Sequence, residues 1–321
     1  MMNLERNHFL PIREILKTEI TDIPKVAGEY LKSGKVVIFP TETVYGIGAS
    51  SLIPYACKNI YKIKNRPSDN PFIIHFSSID EIEEYAHLTF EIISIIKKLS
   101  PGPISYILKK KKEIFSTELP TIGVRIPSNK IAQEMLKISG PVSAPSANLS
   151  GKPSITKISD IKISFIGKVD CILEGGDCVG GIESTVIDLS VSHPKILRPG
   201  LLSIQEITKS LDGLKIDYSE EQNKSPGTKY RHYSPECNVL VIENEDQIDN
   251  YDNSAFIGFK IIPKITKIEI VKNNKDYINK LYSFFIQCER EKIEIIYCQK
   301  PIEDEDSFSL LNRLYKAVSK K

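Results

Sequence analysis

A short polar segment after an apolar run offers the first side chains that could do chemistry. Apolar residues 36–39 predict a buried strand, and Pro40 ends it because its nitrogen has no proton to donate. Two glycines further on, Gly46 and Gly48, would allow the backbone to approach a ligand closely. The segment therefore predicts a binding site at a strand end or, equally, a hairpin turn with solvated polar residues. The polar residues at the strand exit are Thr41, Glu42 and Thr43.

Cations and hydroxyl groups recur at other predicted strand ends, where they could bind an anion. Each cation alone is most simply a solvated or ion-paired surface charge. Arg125 differs because it interrupts an apolar strand, so its side chain must point either outward or into a polar pocket. His75 inside FIIHF has the same two possibilities, and a core histidine is the simpler interpretation. Several such clusters are better explained by one shared pocket than by separate surface sites. The clusters contain Lys64, Arg66, Arg125 and Arg198, the loop residues Ser143, Ser146, Asn148, Ser150 and Ser154, and the pair Ser184 and Thr185.

The common nucleotide-binding motifs are incomplete in this sequence. The glycines at 46 and 48 are followed by Ser51 where the dinucleotide fingerprint requires a third glycine. Residues 28–35 resemble a P-loop, but the glycine spacing is too long and Val36 replaces the hydroxyl residue. A phosphate site in this chain would therefore use an uncommon arrangement of hydroxyls, cations and backbone amides.

The elements that must position these groups alternate irregularly between helix and strand. This irregularity predicts an α/β fold with a mixed sheet rather than a strict βαβ repeat. Apolar periodicity and end signals predict helices over 24–33, 54–64, 79–86, 89–99, 129–138 and 203–210. The predicted strands are 36–39, 72–76, 104–108, 121–126, 141–144, 169–173, 183–189 and 195–197.

The composition of the chain changes at Gly213. Residues 213–236 have almost no periodic apolar pattern and predict a linker, yet they place the segment YRHY between two Ser-Pro turns. Aromatic and cationic side chains in a loop suggest contact with a ligand or a neighbouring domain. Strand patterns and two apolar helical stripes follow, so we expect a first domain over 1–212, the linker over 213–236 and a smaller α/β domain over 237–321.

Composition narrows the class of protein. The chain has 321 residues, 41% of them apolar and 26% charged, and a net charge of +2, which excludes a strongly basic or acidic character. Six scattered cysteines without a CxxC pair favour reduced thiols over disulfides or a zinc site. No apolar run approaches the ~20 residues that span a bilayer, and MMNLERNHFL lacks the apolar core of a secretion signal. We expect a cytoplasmic protein without a membrane partner.

Taken together and in order, the motifs resemble the YrdC-type threonylcarbamoyl-AMP synthases over roughly residues 20–321. The resemblance implies a twisted, open, mixed α/β sheet with a positively charged cavity. It also implies the two-domain form, in which an ordered linker joins a second, smaller Rossmann-like α/β domain. The motifs are FPTETVYGIGA, KNRPSDNPFIIH, SPGP, TIGVRIP, APSANLSGKPS, GGIESTVIDL, ILRPG and, for the two-domain form, SPGTKYRHYSP.

The activity implied by this resemblance is that of an L-threonylcarbamoyladenylate synthase, a nucleotidyltransferase. It would condense L-threonine, bicarbonate and ATP and release pyrophosphate. The product would pass to threonylcarbamoyl-transferase machinery that modifies the tRNA adenosine beside the anticodon, with direct tRNA contact left open. Mg²⁺ would arrive with the ATP phosphates, and the protein would supply no metal ligand.

The resemblance also assigns site residues by position. L-threonine would contact Thr43, His75, Arg125, Ala144 and Ser184. ATP would contact Arg66, Asn70, Thr121, Ser146, Ser154, Arg198 and Tyr233. Lys64 would lie near the phosphates as a candidate catalytic residue, and the linker that carries Tyr233 would close as a lid.

The implied chemistry needs binding groups rather than an enzymatic nucleophile. A carbamate formed from threonine and bicarbonate must attack the α-phosphorus of ATP, so two anions have to meet. Cations at 64, 66 and 198 would neutralise this charge, and Arg125 would hold the threonine carboxylate as a fork. Positioning alone supplies effective molarities of order 10⁵ M or more.

Three other classes of protein stay open. A basic cavity could track the phosphates of double-stranded RNA without consuming ATP. A carbamoyl-transfer domain of hydrogenase maturation shares the YrdC-type fold, although it would be expected to carry zinc-finger modules. A regulatory threonine or nucleotide sensor could use the second domain. Release of pyrophosphate with each substrate omitted separates these classes.

Overall fold

The structure is a computed structural model that describes residues 17–67, 71–114, 117–212, 216–218 and 233–318. Asn70 and most of the predicted linker lie outside these ranges. Within them, the strands form one large mixed sheet and one smaller parallel sheet. This arrangement confirms the predicted α/β class with a second, smaller α/β unit.

Eleven of the described strands form the large sheet, in the order β1-β8-β2-β3-β7-β4-β6-β5-β9-β10-β11. The sheet contains parallel pairs such as β4 with β6 and antiparallel pairs such as β5 with β6, so it is mixed as expected. The strands are β1 Glu19–Thr21, β2 Val37–Phe39, β3 Gly46–Ser50, β4 Ile73–His75, β5 Ile104–Lys109, β6 Thr121–Arg125, β7 Val142–Ser143, β8 Cys171–Leu173, β9 Thr185–Asp188, β10 Lys195–Arg198 and β11 Asp217–Tyr218.

The helices that pack on this sheet begin at residues suited to a helix start. Proline opens α1 and α2, and the side chains of Ser78, Thr89, Asn129 and Ser203 cap α3, α4, α5 and α7. The helices are α1 Pro24–Lys32, α2 Pro54–Lys64, α3 Ile79–Glu83, α4 Phe90–Leu99, α5 Lys130–Ser139, α6 Ile158–Phe165 and α7 Ile204–Ser210.

Helix α6 and strand β3 are the notable elements that the sequence pattern missed. Helix α6 buries Asp160 on its apolar face, which breaks the periodicity, and its first turn has no side-chain cap. Strand β3 contains two glycines, which favour turns when only the local sequence is considered. Gly48 is a strand residue for a packing reason, because an added Cβ would lie 2.6 Å from Val142 and 2.7 Å from Phe39. The expectation that Gly48 makes room for a ligand was therefore wrong.

The smaller sheet has the strand order β12-β15-β13-β14, and all its described pairs are parallel. Its core joins the large sheet's loops, since Ile182 and Leu201 pack in the same apolar cluster as Tyr277 and Leu281. No helix in the described part of the chain is long and apolar enough to cross a lipid bilayer. The elements are β12 Asn238–Ile242, β13 Ser254–Gly258, β14 Lys267–Ile270, β15 Ile295–Gln299, α8 Asn274–Arg290 and α9 Ser307–Ala317.

The strand register gathers polar residues at one edge of the large sheet. Strands β4 and β6 run parallel and pair His75 with Arg125 at their ends. Strand β5 starts beside the end of β6, and β9 starts beside β5, with Ile104 opposite Thr185. Strand β10 is antiparallel to β9, so its last residue, Arg198, returns to the same edge. This topology positions the site.

Candidate functional site

A partly enclosed cleft lies at this edge of the sheet. Its described lining carries four cationic residues and one carboxylate, Glu183, beside hydroxyl and amide groups. An excess of cations in a partly enclosed space favours an anionic ligand. The lining includes Lys64, Arg66, His75, Ser105, Arg125, Ala144, Ser146, Asn148, Glu183, Ser184, Arg198 and Tyr233.

The polar turn after β2 is a hairpin connection and is also part of this region. Strands β2 and β3 pair antiparallel, with Phe39 opposite Gly46, as the hairpin alternative required. However, Thr41 and Thr43 are buried rather than solvated. The Thr41 hydroxyl lies 2.8 Å from that of Thr43 and donates to the Val44 carbonyl at 2.7 Å. These bonds fix the turn so that Glu42 and Thr43 reach Arg125.

Arg125 is buried and only part of its hydrogen-bonding capacity is used. Its NH2 group donates to Glu42 Oε1 at 2.7 Å and to Thr43 Oγ1 at 3.0 Å. Its Nε is buried and has no hydrogen-bond partner among the described residues. Glu42 also accepts from the Ser128 amide at 3.1 Å, which anchors the pair. Arg125 is therefore oriented by one carboxylate and retains donor capacity for another.

His75 is held as a neutral imidazole beside Arg125. Burial, together with the charge of Arg125, lowers the pKa of His75 to about 3. The ring meets the edge of Phe39 at a centroid distance of 5.8 Å. Its Nδ1 is buried without a partner among the described residues. A neutral ring with an unused nitrogen can donate to or accept from a ligand without adding charge.

Lys64 directs its hydrogen bonds to the loop that follows β7. Its Nζ donates to the Ser146 carbonyl at 2.6 Å and to the Asn148 carbonyl at 2.5 Å, with Asn148 Oδ1 at 3.3 Å. Burial, followed by the charge of Arg66, holds the pKa of Lys64 well below its usual value. With its donors directed at these oxygens, Lys64 orders the loop at 146–150 and is poorly placed to act as a mobile phosphate ligand.

Ser184 is the best-fixed hydroxyl in the cleft. Its carbonyl accepts from Arg198 Nε at 3.2 Å and from Arg198 NH2 at 2.8 Å. Its hydroxyl lies 2.8 Å from the Ser105 hydroxyl and 3.2 Å from Arg198 NH2. The segment therefore presents a hydroxyl and a guanidinium group together, a combination that suits a carboxylate or phosphate oxygen.

Glu183 is a functional candidate whose role the sequence pattern did not reveal. Its Oε1 accepts from Ser154 at 2.5 Å, and its Oε2 accepts from Arg313 Nε at 2.9 Å and from the Tyr282 hydroxyl at 3.3 Å. Burial is the largest influence and raises the pKa of Glu183, but the charges of Arg313 and Arg198 outweigh it, so the pKa is lowered overall. Glu183 is thus an ionised carboxylate.

Arg313 interrupts the buried apolar stripe of α9. A charged residue inside an apolar helical pattern is the sequence feature that could have pointed to Glu183 and Arg313. The stripe is formed by Leu310, Leu314 and Ala317, and Arg313 is wholly buried among them. A charged residue at helical spacing within an apolar stripe needs a buried partner. The apolar spacing predicted a different core face for this helix, formed by Phe308, Leu311, Leu314, Tyr315 and Val318. That prediction was wrong for Phe308 and Tyr315, which are exposed, and it left Arg313 unnoticed.

Tyr233 enters the cleft at the end of the predicted linker. It is buried and has a positive φ of 66°, a strained value for a residue with a side chain. Its ring stacks on Tyr282 at 5.7 Å, and the Arg313 guanidinium lies 5.0 Å from the ring centroid. The small sheet unit therefore holds the aromatic side chain in place at the cleft.

The structure brings most of the expected site residues together. Thr43 and Ser154 reach the cleft through their bonds to Arg125 and Glu183. Thr121 does not line the described cleft. It is the first residue of β6 and Arg125 is the last, so the rise of four residues along the strand separates them by about 13 Å. Asn70 lies outside the described residues. Lining positions are found for Lys64, Arg66, His75, Arg125, Ala144, Ser146, Ser184, Arg198 and Tyr233.

The described lining of the cleft contains one carboxylate and no set of metal ligands. No group of three or more His, Cys, Asp or Glu residues in the described ranges could hold a metal ion. The carboxylate in the lining, Glu183, is already bonded to Ser154, Arg313 and Tyr282. The described side chains therefore do not fit a protein-held metal, and the arrangement is best suited to gripping and aligning anionic substrates.

Two family models match consecutive parts of the chain. Residues 29–200 match Sua5_yciO_yrdC, described as "Telomere recombination". Residues 202–319 match Sua5_C, described as "Threonylcarbamoyl-AMP synthase, C-terminal domain". The first match contains strands β2 to β10 of the large sheet, and the second contains the small sheet with α8 and α9.

Curated relatives and solved structures agree with these models. The chain is 34% identical to the threonylcarbamoyl-AMP synthase of Pyrococcus abyssi, covering 91% of this chain and 93% of the relative. It is 31% identical to the Bacillus subtilis enzyme of the same name, covering 97% and 96%. The crystal structure of P. abyssi Sua5 complexed with L-threonine superposes with a TM-score of 0.85 at 32% identity, covering 94% of this chain and 97% of that one.

Proposed function

Because this chain belongs to the Sua5/YciO/YrdC family and carries the Sua5 C-terminal domain, we propose that it is a threonylcarbamoyl-AMP synthase. The enzyme joins L-threonine, bicarbonate and ATP into threonylcarbamoyl-AMP and releases pyrophosphate. The relatives of the same name, which cover nearly the whole chain, support this activity.

The observation that carries the proposal is the convergence of three arginines and several fixed hydroxyls in one cleft. Arg125 retains donor capacity beside the neutral His75, which suits the carboxylate and polar groups of a small amino acid. Arg198 and Ser184 lie at the neighbouring strand ends. A triphosphate and an amino acid can therefore be held side by side.

The reaction follows from this arrangement without a protein nucleophile. The threonine amine attacks the carbon of bicarbonate, a C–N bond forms and water leaves, which gives a carbamate. A carbamate oxygen then attacks the α-phosphorus of ATP. A new P–O bond forms, the bond to the β-phosphate bridging oxygen breaks, and pyrophosphate leaves with that oxygen. Arg66 and Arg198 offset the repulsion between the two anions, and the ordered 146–150 loop fixes their distance.

The enzyme class, the role of Mg²⁺, the fate of the product and the individual substrate contacts are part of the same proposal. We assign the enzyme to the nucleotidyltransferases, with Mg²⁺ supplied on the ATP phosphates. Its product passes to transferase machinery for tRNA threonylcarbamoyladenosine, and the enzyme acts in the cytoplasm. The proposed threonine contacts are Thr43, His75, Arg125, Ala144 and Ser184, and the proposed ATP contacts are Arg66, Asn70, Ser146, Ser154, Arg198 and Tyr233. The position of Thr121 at the far end of β6 does not support a direct ATP contact.

The domain limits and the lid are also proposed. Residues 1–212 form the catalytic unit, 213–236 the lid and 237–321 the second unit. The support comes from Tyr233, which lies near the end of the lid segment and packs at the cleft against Tyr282. A closed lid would keep water from the labile mixed anhydride of the product.

Pyrophosphate release tests the proposed activity directly. The purified full-length chain is assayed with ATP, L-threonine and bicarbonate, and then with each substrate omitted in turn. We expect release that requires all three, with threonylcarbamoyl-AMP identified by mass spectrometry. Release in the absence of both threonine and bicarbonate would contradict the assignment, and RNA binding without ATP consumption would favour the RNA-binding alternative.

A further inference from the structure

A buried ion pair connects the small sheet unit to the cleft. Arg313 lies on α9 and is completely buried. Its Nε donates to Glu183 Oε2 at 2.9 Å, and Glu183 lines the cleft. The two residues are 130 positions apart in the sequence, and their ion pair connects the units that contain the two sheets. The mechanism above assigns no role to either side chain.

Glu183 links the two groups of proposed substrate contacts. Its second oxygen, Oε1, accepts from Ser154, which is proposed to contact ATP. The next residue in the chain is Ser184, which is proposed to contact threonine and is held by Arg198. A shift of the Glu183 side chain or backbone would therefore disturb both groups at once.

Arg313 makes further contacts that orient its guanidinium group, although its buried NH2 has no hydrogen-bond partner among the described residues. Its NH1 donates to Asn312 Oδ1 at 2.9 Å, and its guanidinium lies 5.0 Å from the Tyr233 ring centroid. Tyr282 stacks on that ring and also donates to Glu183. Because a buried carboxylate without a cation and hydrogen bonds is strongly disfavoured, these contacts from the small sheet unit determine where Glu183 can lie.

We propose that Arg313 is a positioning residue of the active site. By pairing with Glu183 it holds Ser154 and the 183–184 segment at the spacing that ATP and threonine require. The second domain therefore completes the substrate site instead of merely supporting the linker. This inference rests on the proposed function of the cleft, since it takes the substrates from that assignment.

A purely structural role for the pair is the alternative, and a second ion pair provides the matched control. Arg290 on α8 also ties the small sheet unit to a buried carboxylate, with its NH1 2.8 Å from Asp160 Oδ1. Asp160 lies on α6 and does not line the described cleft. Arg290→Met therefore breaks a contact between the two units while leaving the substrate groups alone.

The experiment compares Arg313→Met with Arg290→Met in the full-length chain. Steady-state kinetics give KM for ATP, KM for threonine and kcat. Calorimetric titration with α,β-methylene-ATP gives a dissociation constant that does not depend on turnover. We expect Arg313→Met to raise both KM values and the dissociation constant about tenfold to a hundredfold, at a temperature where the variant is folded. Arg290→Met should lower Tm with KM values within about twofold of the wild type.

Two further variants keep the test decisive if Arg313→Met does not fold. Arg313→Lys keeps a donor and a charge for Glu183, so we expect it to recover most of the wild-type affinity. Glu183→Gln combined with Arg313→Met buries no unpaired charge and should fold, yet it should keep a weakened affinity for α,β-methylene-ATP. Wild-type affinity in the double variant would overturn the proposal, as would equal losses in Arg290→Met and Arg313→Met.

The readouts separate this inference from the proposed function. If the wild type releases no pyrophosphate, the function fails, while the dissociation constants still test the positioning role. If the wild type is active and Arg313→Met matches it in affinity and in both KM values, only the positioning role fails.

Discussion

At the scale of single residues, the site is made of groups that bind and orient. Among the described residues, Arg125 pairs with the carboxylate of Glu42, and its buried Nε has no partner. His75 is neutral because burial and Arg125 lower its pKa. Lys64 orders a loop through backbone carbonyls. These features suit a reaction in which two substrates react with each other and the protein supplies alignment and charge.

Replacing Arg125 should affect threonine far more than ATP. Arg125→Ala removes the proposed partner of the threonine carboxylate, and a lost charge-assisted hydrogen bond is worth about 1.5–3 kcal/mol. We therefore expect KM for threonine to rise roughly tenfold to a hundredfold, with a much smaller change in KM for ATP. Initial-rate kinetics with each substrate varied in turn measure both values.

Arg125→Lys is the companion variant, because it keeps a positive charge beside Glu42 but loses the planar fork. It should show an intermediate KM for threonine. Unchanged threonine kinetics in Arg125→Ala would refute the assignment of Arg125.

His75 should not titrate in the physiological range. Its pKa in the folded protein is about 3, whereas a free histidine titrates near 6.5. Between these two values the unfolded chain binds a proton that the folded chain does not. The stability that His75 contributes is therefore complete above about pH 6.5 and is lost as the pH falls towards 3.

Proton NMR of the imidazole ring checks this prediction. The His75 signal is identified by its loss in His75→Asn, and we expect its chemical shift to be constant between about pH 5.5 and 8. A His75 midpoint inside that interval would contradict the neutral, buried imidazole.

At the scale of elements, the cleft is shaped by loops that packed helices hold in place. Helix α8 lies directly against the segment that leads to Glu183. Gly181 has a φ of +83°, and a Cβ there would lie 2.2 Å from the Ile278 carbonyl oxygen. The Asn279 amide also donates to the Val179 carbonyl at 2.6 Å. Only glycine allows both this backbone conformation and this close approach.

Two glycine variants separate conformational strain from steric overlap. Gly181→Ala carries a positive-φ cost of about 1–2 kcal/mol and also forces α8 away from the loop. Gly176→Ala has a similar φ of +76°, but an added Cβ meets nothing within 4 Å. We expect both variants to lower Tm, with Gly181→Ala lower than Gly176→Ala and also weaker in ATP affinity. Equal Tm values for the two variants would show that the contact with α8 contributes no stability.

At the scale of the whole molecule, the two sheets behave as one packed unit. Ile182 and Leu201 from the large sheet's loops lie in the small sheet's core. Ser309 on α9 donates to the Gly200 carbonyl at 2.8 Å, and Arg313 pairs with Glu183. Separation of the two units would expose apolar surface and leave a buried charge unpaired, so it is unfavourable.

Thermal unfolding should therefore occur in a single transition. Scanning calorimetry of the full-length chain should give one peak, with van't Hoff and calorimetric enthalpies in agreement. Arg313→Met together with Ile182→Ala should weaken the contact between the units and split or broaden this peak. Two well-separated transitions in the wild type would show that the sheets unfold independently.

The sequence by itself determined the class of fold and most of the pocket's membership. Apolar periodicity predicted the mixed sheet and the second α/β unit, because burial of a strand or helix face leaves a local pattern. Cations and hydroxyls at strand ends predicted a shared pocket, and Arg125, Ser184 and Arg198 do meet at one sheet edge. Motif order then indicated the family that the comparisons confirmed.

Only the tertiary structure decided which partners each of these groups has. It showed that Lys64 hydrogen-bonds to the 146–150 loop, that Thr121 lies away from the cleft and that Glu42 orients Arg125. It also paired Glu183 with Arg313. Such pairings depend on distance and burial between segments far apart in sequence, and no local pattern records those quantities.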